Sequence, residues 1–150
     1  MEELGRDKAL EILERGRIAH VGVVDAAGPY VSPISYALVR DRLVFVTLRG
    51  RRFRAIRTDP RVSVEVAEAE DTHWRSVVVN AVAEIVTGTP LHTDGLHALL
   101  TKYRDDGASL LGTSRSPGPD LTEVVAVPLD ALSGRASGGG TNPNIRPGRL

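Results

Sequence analysis

The sequence contains no cysteine, and this absence excludes disulfide bonds, thiol catalysis and thiolate metal sites. The chain also has no formal net charge, because 19 acidic residues balance 19 basic ones, and only 4% of its residues are aromatic. Nucleic-acid binding depends on excess positive charge and on aromatic rings on which bases stack. These absences argue against nucleic acid as the main partner.

A long apolar run is also absent, since no stretch approaches the roughly 20 residues that span a membrane. The acidic start at Met1-Glu2-Glu3 is unlike a signal peptide, so we expect a cytoplasmic protein without a membrane partner. Walker, G-x-S-x-G and G-x-G-x-x-G motifs are missing. The four histidines lack the spacing of metal ligands, so we expect no metal site.

Hydrophobic periodicity over the 150 residues predicts one mainly β domain with attached helices. Six antiparallel strands are predicted, at residues 17–24, 30–38, 43–48, 61–66, 76–87 and 123–129. Helices are predicted at residues 7–15 and 93–104 and, as a crossover, between Gly50 and Asp59. Strands joined by short turns are typical of a small six-stranded barrel, in which closure of the sheet removes exposed edges.

The segments between these elements are predicted from their composition. Residues 67–72 are acidic and predict a solvated loop, while residues 105–120 are rich in Gly, Ser and Pro and predict a mobile one. Residues 138–150 show no periodicity, so we expect a domain over residues 1–137 followed by a tail. Pro33 interrupts the second strand and requires an edge position or a bulge, because proline has no N–H to donate.

An arginine cluster occupies the connection between the third and fourth strands. Six arginines lie between Arg49 and Arg61 against a single acid, Asp59. The run Arg49-Gly50-Arg51-Arg52 brings free backbone N–H groups and guanidinium forks to a helix N-terminus, which suits a phosphate. A solvated helix face is the plainer explanation of the same arginines, and the residues alone leave both interpretations open.

Five segments, in order, resemble those of the pyridoxamine 5′-phosphate oxidase-like split barrels. They are residues 16–28 (GRIAHVGVVDAAG), 30–36 (YVSPISY), 47–52 with 59–63 (TLRGRR and DPRVS), 73–79 with 83–86 (HWRSVVV and AEIV), and 125–129 with 132–134 (VAVPL and LSG). The fourth and fifth are similar to the nitroimidazole-reductase-like branch. The resemblance covers roughly residues 5–137. It implies a split β-barrel that binds FMN at the interface of a homodimer.

The resemblance also implies roles for particular residues. Arg51 and Arg52 would hold the flavin phosphate, with Arg49 and Gly50 shaping the loop. The residues expected along the isoalloxazine ring are Pro33, Ile34 and Ser35, through their backbone groups, and Thr47 on the other side of the ring. The residues expected to approach from the partner subunit are Trp74, Arg75 and Ser76.

The function implied by the resemblance is FMN-dependent oxidation or reduction of an unknown small molecule, by hydride transfer at the flavin ring. No protein nucleophile or metal is expected, and neither the catalytic residues nor the electron donor is indicated. Two alternatives stay open: a 5-deazaflavin-dependent reductase of the same fold, and a non-catalytic flavin- or haem-binding protein. The family commonly has lysine where Arg52 stands, and the Arg-x-His substrate motif of true pyridoxamine phosphate oxidases is not found here.

Overall fold

The computed structural model describes residues 1–104 and 122–138. Within these ranges it contains ten strands and three helices. The strands are β1 (Glu2–Leu4), β2 (Ile18–Asp25), β3 (Gly28–Ser35), β4 (Ala37–Val39), β5 (Arg42–Leu48), β6 (Arg61–Glu70), β7 (His73–Val82), β8 (Glu84–Ile85), β9 (Thr122–Pro128) and β10 (Leu132–Ala136). The helices are α1 (Arg6–Arg15), α2 (Arg51–Thr58) and α3 (Pro90–Lys102). No helix among the described residues is long and apolar enough to span a membrane.

The strands form two antiparallel sheets, which confirms the predicted mainly β, split-barrel fold class. The first sheet has six strands in the order β1-β10-β7-β6-β2-β3, and the second has four in the order β4-β5-β9-β8. The expected single closed sheet is therefore replaced by two sheets with a gap between β3 and β5. Because β3 lies at the edge of its sheet, Pro33 costs no ladder hydrogen bond, as its sequence position predicted.

Several element boundaries differ from the sequence predictions. The predicted strand 30–38 divides at Tyr36, where the chain crosses from the first sheet to the second, and the predicted strand 76–87 begins earlier and divides at Ala83. The predicted loop at 67–72 is mostly strand, because pairing between β6 and β7 continues to Glu70 and His73. The short strands β1 and β10 were not predicted. The expected loop at 105–120 and nearly all of the expected tail lie outside the described residues.

The six-stranded sheet has one buried face and one exposed face. Alternate residues of β6, such as Val62, Val64 and Val66, point into the core, where side chains of the second sheet and α1 cover them. The opposite face, which we call the outer face, carries apolar side chains that the described residues leave open. Val24, Val31 and Val82 on this face are 49%, 64% and 57% exposed.

The end of α3 is attached to the point where the chain changes sheets. Tyr103 accepts a hydrogen bond from the Tyr36 backbone N–H (3.1 Å) and donates to the Arg17 carbonyl (2.6 Å). The Lys102 Nζ is buried 4.0 Å from the centre of the Tyr36 ring and has no hydrogen-bond partner in the described part of the chain. The pKa of Lys102 is lowered to about 8. Burial is the largest cause, the positive charge of Arg17 acts in the same direction, and the negative charge of Glu14 opposes the shift.

This lysine predicts a specific dependence of stability on pH. A lysine whose pKa is lower in the folded state than in the unfolded state costs stability while it is protonated, and the cost falls as pH rises above the folded pKa of about 8. We expect the free energy of unfolding to rise by about 1 kcal/mol between about pH 7 and 9, after allowance for partial solvent screening. The rise should be missing in Lys102→Met, as measured by urea unfolding at both pH values. Parallel pH curves for the two proteins would contradict this account.

Candidate functional site

The site predicted from the sequence lies where the edge of β3 faces the end of β5 across the gap between the sheets. Pro33 stands opposite His20 of β2, and its carbonyl oxygen points away from β2 because it accepts a hydrogen bond from Arg52 (3.0 Å). Along a strand, the N–H and C=O groups of successive residues point to opposite sides. Those of Ser35, two residues after Pro33, therefore also point away from β2. Ile34 stands opposite Ala19 and buries its side chain in the core.

Arg52 connects the two sheets through all three of its guanidinium nitrogens. Besides the Pro33 carbonyl, it donates to Ser32 Oγ on β3 (2.9 Å) and to Thr47 Oγ1 on β5 (3.1 Å). Ser32 and Thr47 are both buried. The structure thus brings together three of the predicted residues, Pro33, Thr47 and Arg52. Ser32 was missed, although a polar residue at an inward-facing position of β3 was a signal for it.

The Arg52 guanidinium carries a positive charge that no carboxylate of the described residues balances. Its hydrogen-bond acceptors in the described part of the chain are two hydroxyls and a carbonyl, all of them neutral. Burial lowers the pKa of Arg52 from its ordinary value. A desolvated cation without an anion is costly, and such a group favours binding of an anion that completes the pair.

The start of α2 adds backbone donors at the same place. Gly50 is the N-cap residue, no side chain caps the helix, and its first turn contains no acid. The first intrahelical backbone bond runs from Arg54 N–H to the Gly50 carbonyl (3.0 Å), so the preceding N–H groups have no intrahelical partner. Free N–H groups and the positive end of the helix dipole attract anions.

Arg51 is held by an acid that the sequence prediction overlooked. Its Nε and Nη2 donate to the two carboxylate oxygens of Asp25 at 2.7 and 3.2 Å, and its guanidinium lies 4.3 Å from the centre of the Tyr30 ring. The hydrogen bond from Arg51 holds the pKa of Asp25 below its usual value. Asp25 was assigned only to a turn, since nothing in its spacing points to an arginine 26 residues later.

Arg49 is also paired. It donates from Nε to Glu123 at 2.9 Å, and Thr87 donates a short hydrogen bond to the other carboxylate oxygen. These two hydrogen bonds hold the pKa of the buried Glu123 below its usual value, and the bond from Thr87 has the larger effect. Glu123 is the second residue of β9 and lies 74 residues from Arg49 in the sequence, so local sequence patterns did not reveal this pairing. Of the three arginines at this loop, only Arg52 has no acidic partner among the described residues.

Trp74, Arg75 and Ser76 lie elsewhere in this chain. They belong to β7, which is three strands away from β3 in the first sheet, a separation of about 14 Å. Trp74 is 41% exposed, and Arg75 contacts Glu68 at 3.4 Å. Together with α1, Trp74 and Arg75 line a separate open groove. Their approach to the site from a partner subunit therefore stays a prediction.

These features define a class of protein: an antiparallel split barrel with a positively charged site where a helix begins at the gap between its sheets. The family model described as pyridoxamine 5′-phosphate oxidase matches residues 5–136. The chain therefore belongs to the pyridoxamine 5′-phosphate oxidase family, which confirms the family predicted from its sequence segments.

Solved structures with the same fold come from several bacteria. An FAD-binding protein from Mesorhizobium loti is 24% identical, with a TM-score of 0.74 over 91% of this chain and 98% of that chain. A putative 5-nitroimidazole antibiotic resistance protein from Bacteroides thetaiotaomicron is 18% identical, with a TM-score of 0.73 over 90% and 86%. An FAD- and haem-binding protein from Mycobacterium smegmatis is 18% identical, with a TM-score of 0.69 over 93% and 75%. These similarities establish the fold.

The position of Thr47 predicts the effect of removing one acceptor of Arg52. Thr47→Val keeps the shape of the side chain but leaves one buried guanidinium N–H without a partner, which costs about 1–2 kcal/mol of unfolding free energy. Thr58→Val, at the exposed end of α2, is the control and should change stability by less than about 0.5 kcal/mol. Equal stability losses for the two variants in urea unfolding would show that the Thr47 hydroxyl does not support Arg52.

Proposed function

We propose that the chain is a cytoplasmic, FMN-dependent oxidoreductase that acts as a homodimer on a small-molecule substrate. The observation that carries this proposal is the half-buried guanidinium of Arg52, whose partners among the described residues are all neutral and which lies beside the uncapped start of α2. A phosphate group supplies the missing anion. Membership in the pyridoxamine 5′-phosphate oxidase family and the FAD-binding relative support a flavin as the molecule that carries this phosphate.

The residues of the site suit the two ends of a flavin. Arg52 and the first N–H groups of α2 bind the phosphate. The space beside Gly50 is open, since a Cβ built there would meet nothing within 4 Å, so a phosphate can approach the backbone. The outward backbone groups of Pro33 and Ser35 lie along the isoalloxazine ring, and Thr47 is placed on the other side. A bound flavin supplies the hydride chemistry, while the protein orients the ring and the substrate.

The outer face supports the homodimer. Its exposed apolar residues, Val24, Val31 and Val82, surround the small residues Gly22 and Ser63. The proposed two-fold axis runs parallel to the strands and passes between β2 and β6. It packs this patch against the same patch of the second subunit. The same axis places β7 of the partner opposite β3, so that the partner subunit's Trp74, the partner subunit's Arg75 and the partner subunit's Ser76 approach the flavin ring.

Two alternatives of the same fold use the same anion site. A 5-deazaflavin also carries a phosphate, and the choice of electron donor, a nicotinamide or a reduced deazaflavin, separates that reductase from an FMN enzyme. The second alternative is a flavin- or haem-binding protein without catalysis, which the name of the Mycobacterium smegmatis relative favours. Full cofactor occupancy without turnover for any donor and acceptor pair supports this second alternative.

The proposal predicts the consequence of removing the Arg52 charge. In Arg52→Met we expect FMN affinity, measured by quenching of flavin fluorescence, to fall about 10- to 100-fold because a charge-assisted contact to the phosphate is lost. Riboflavin, which has no phosphate, should lose much less affinity than FMN. Arg54→Met is the matched control, since Arg54 is exposed on the same helix and its side chain donates to the Arg49 carbonyl and to no other group among the described residues.

Two results of this experiment contradict the proposal. The first is a wild-type protein that retains no visible flavin absorption after incubation with FMN and gel filtration. The second is equal FMN affinity in the wild type and Arg52→Met, with the fold of the variant confirmed by circular dichroism. Either result returns the arginines to the role of a solvated helix face.

The dimer proposal predicts that a charge on the outer face separates the subunits. Val31→Glu places a carboxylate within the apolar patch, on the edge strand β3, and we expect a monomer by light scattering after size-exclusion chromatography. Leu100→Glu is the matched control, because Leu100 is 65% exposed on α3, away from this face. A dimeric Val31→Glu variant, or a wild type that is monomeric, would refute this interface.

A further inference from the structure

The charges around the anion site are unevenly distributed among its three arginines. Glu123 balances Arg49 at 2.9 Å, and Asp25 balances Arg51 at 2.7 Å. Arg52 is left as the one arginine of this loop without an acid among the described residues. Arg49, Arg51 and Arg52 together therefore present about one positive charge that no acid of the described residues balances.

The Asp25 carboxylate is held firmly at this position. It receives two hydrogen bonds from Arg51 and one from the Ala27 backbone N–H (2.9 Å), and the Arg51 guanidinium is held in turn over the Tyr30 ring. Arg51 is the first residue of α2, so Asp25 stands at the end of the helix that attracts anions. A negative group fixed there reduces the attraction for every incoming anion, and more so for an anion with two charges.

We propose that Asp25 is a specificity-determining residue that disfavours the second negative charge of a phosphomonoester. This inference rests on the proposed function, because it concerns the phosphate of the bound flavin. A phosphomonoester such as that of FMN carries about −1.5 to −2 charges at neutral pH, with a second pKa near 6. Each phosphate of the FAD diphosphate carries one charge. Asp25 therefore lowers the affinity for FMN more than the affinity for FAD.

The test is Asp25→Asn, which removes the charge and keeps an oxygen that can accept from Ala27 and Arg51. At pH 7.5 we expect FMN to bind about tenfold more tightly and FAD about threefold more tightly, while riboflavin affinity stays unchanged. Asp59→Asn is the matched control, because Asp59 forms a similar ion pair with Arg61 (2.7 Å) at the opposite end of α2. It should change none of the three affinities.

A measurement at pH 5 separates the charge of the ligand from the shape of the side chain. FMN is then mostly monoanionic, while Asp25 stays ionised because Arg51 holds its pKa low, and the arginines around it stay protonated. The gain in FMN affinity from Asp25→Asn should shrink to that of FAD. Asp25→Glu, which keeps the charge, should retain the wild-type ratio of FMN to FAD affinity.

The outcomes distinguish this inference from the proposed function. A wild type that binds neither FMN nor FAD refutes the proposed function and the inference with it. A wild type that binds flavin, together with an Asp25→Asn variant whose ratio of FMN to FAD affinity is unchanged, overturns only the inference. A changed ratio in Asp25→Glu, by the same amount as in Asp25→Asn, also overturns it, because shape and not charge would then decide.

Discussion

The structure depends on the hydrogen bonds that Arg52 makes across the gap between the two sheets. One planar guanidinium reaches Ser32 and Pro33 on one sheet and Thr47 on the other. The N–H groups of a guanidinium point in fixed directions. The three hydrogen bonds of Arg52 therefore set the separation of β3 and β5 at this point. Because all three acceptors are neutral, the same contact that joins the sheets leaves a positive charge at the gap.

The edge position of β3 makes this arrangement possible. A central strand uses all its backbone groups in ladder hydrogen bonds, whereas an edge strand keeps half of them free. Proline has no N–H, so Pro33 cannot serve as a ladder donor, and its free carbonyl accepts from Arg52 instead. An open strand edge is usually a liability for aggregation, and here the Arg52 side chain covers part of it.

Local sequence patterns predicted the parts of the fold and site that depend on short spacings. Alternating valines identified β6, Asp59-Pro60 marked the end of α2, and Gly50 with its arginines marked the start of that helix. The crossing of the chain between sheets at Tyr36 was not predicted, because it depends on contacts with α1 and α3 that lie far away in the sequence.

The ion pairs between these arginines and their acids were also not predicted from the sequence. Asp25 and Glu123 lie 26 and 74 residues from their arginine partners, and only the folded chain shows which guanidinium each one balances. From composition alone, the arginine cluster is expected to be strongly positive. Among Arg49, Arg51 and Arg52, the fold leaves two arginines paired with acids and one without an acid among the described residues.

The identity of residue 52 follows from the same geometry. The resemblance indicates lysine as the common residue at this position, and an ammonium group serves a phosphate well as a point charge. An ammonium has three donors on one nitrogen, so it cannot span acceptors that lie on two separate sheets as the Arg52 fork does. Arginine at this position therefore combines a structural contact with an anion-binding charge. The cost of a half-buried cation is tolerated because the fold supplies three oxygens before any phosphate arrives.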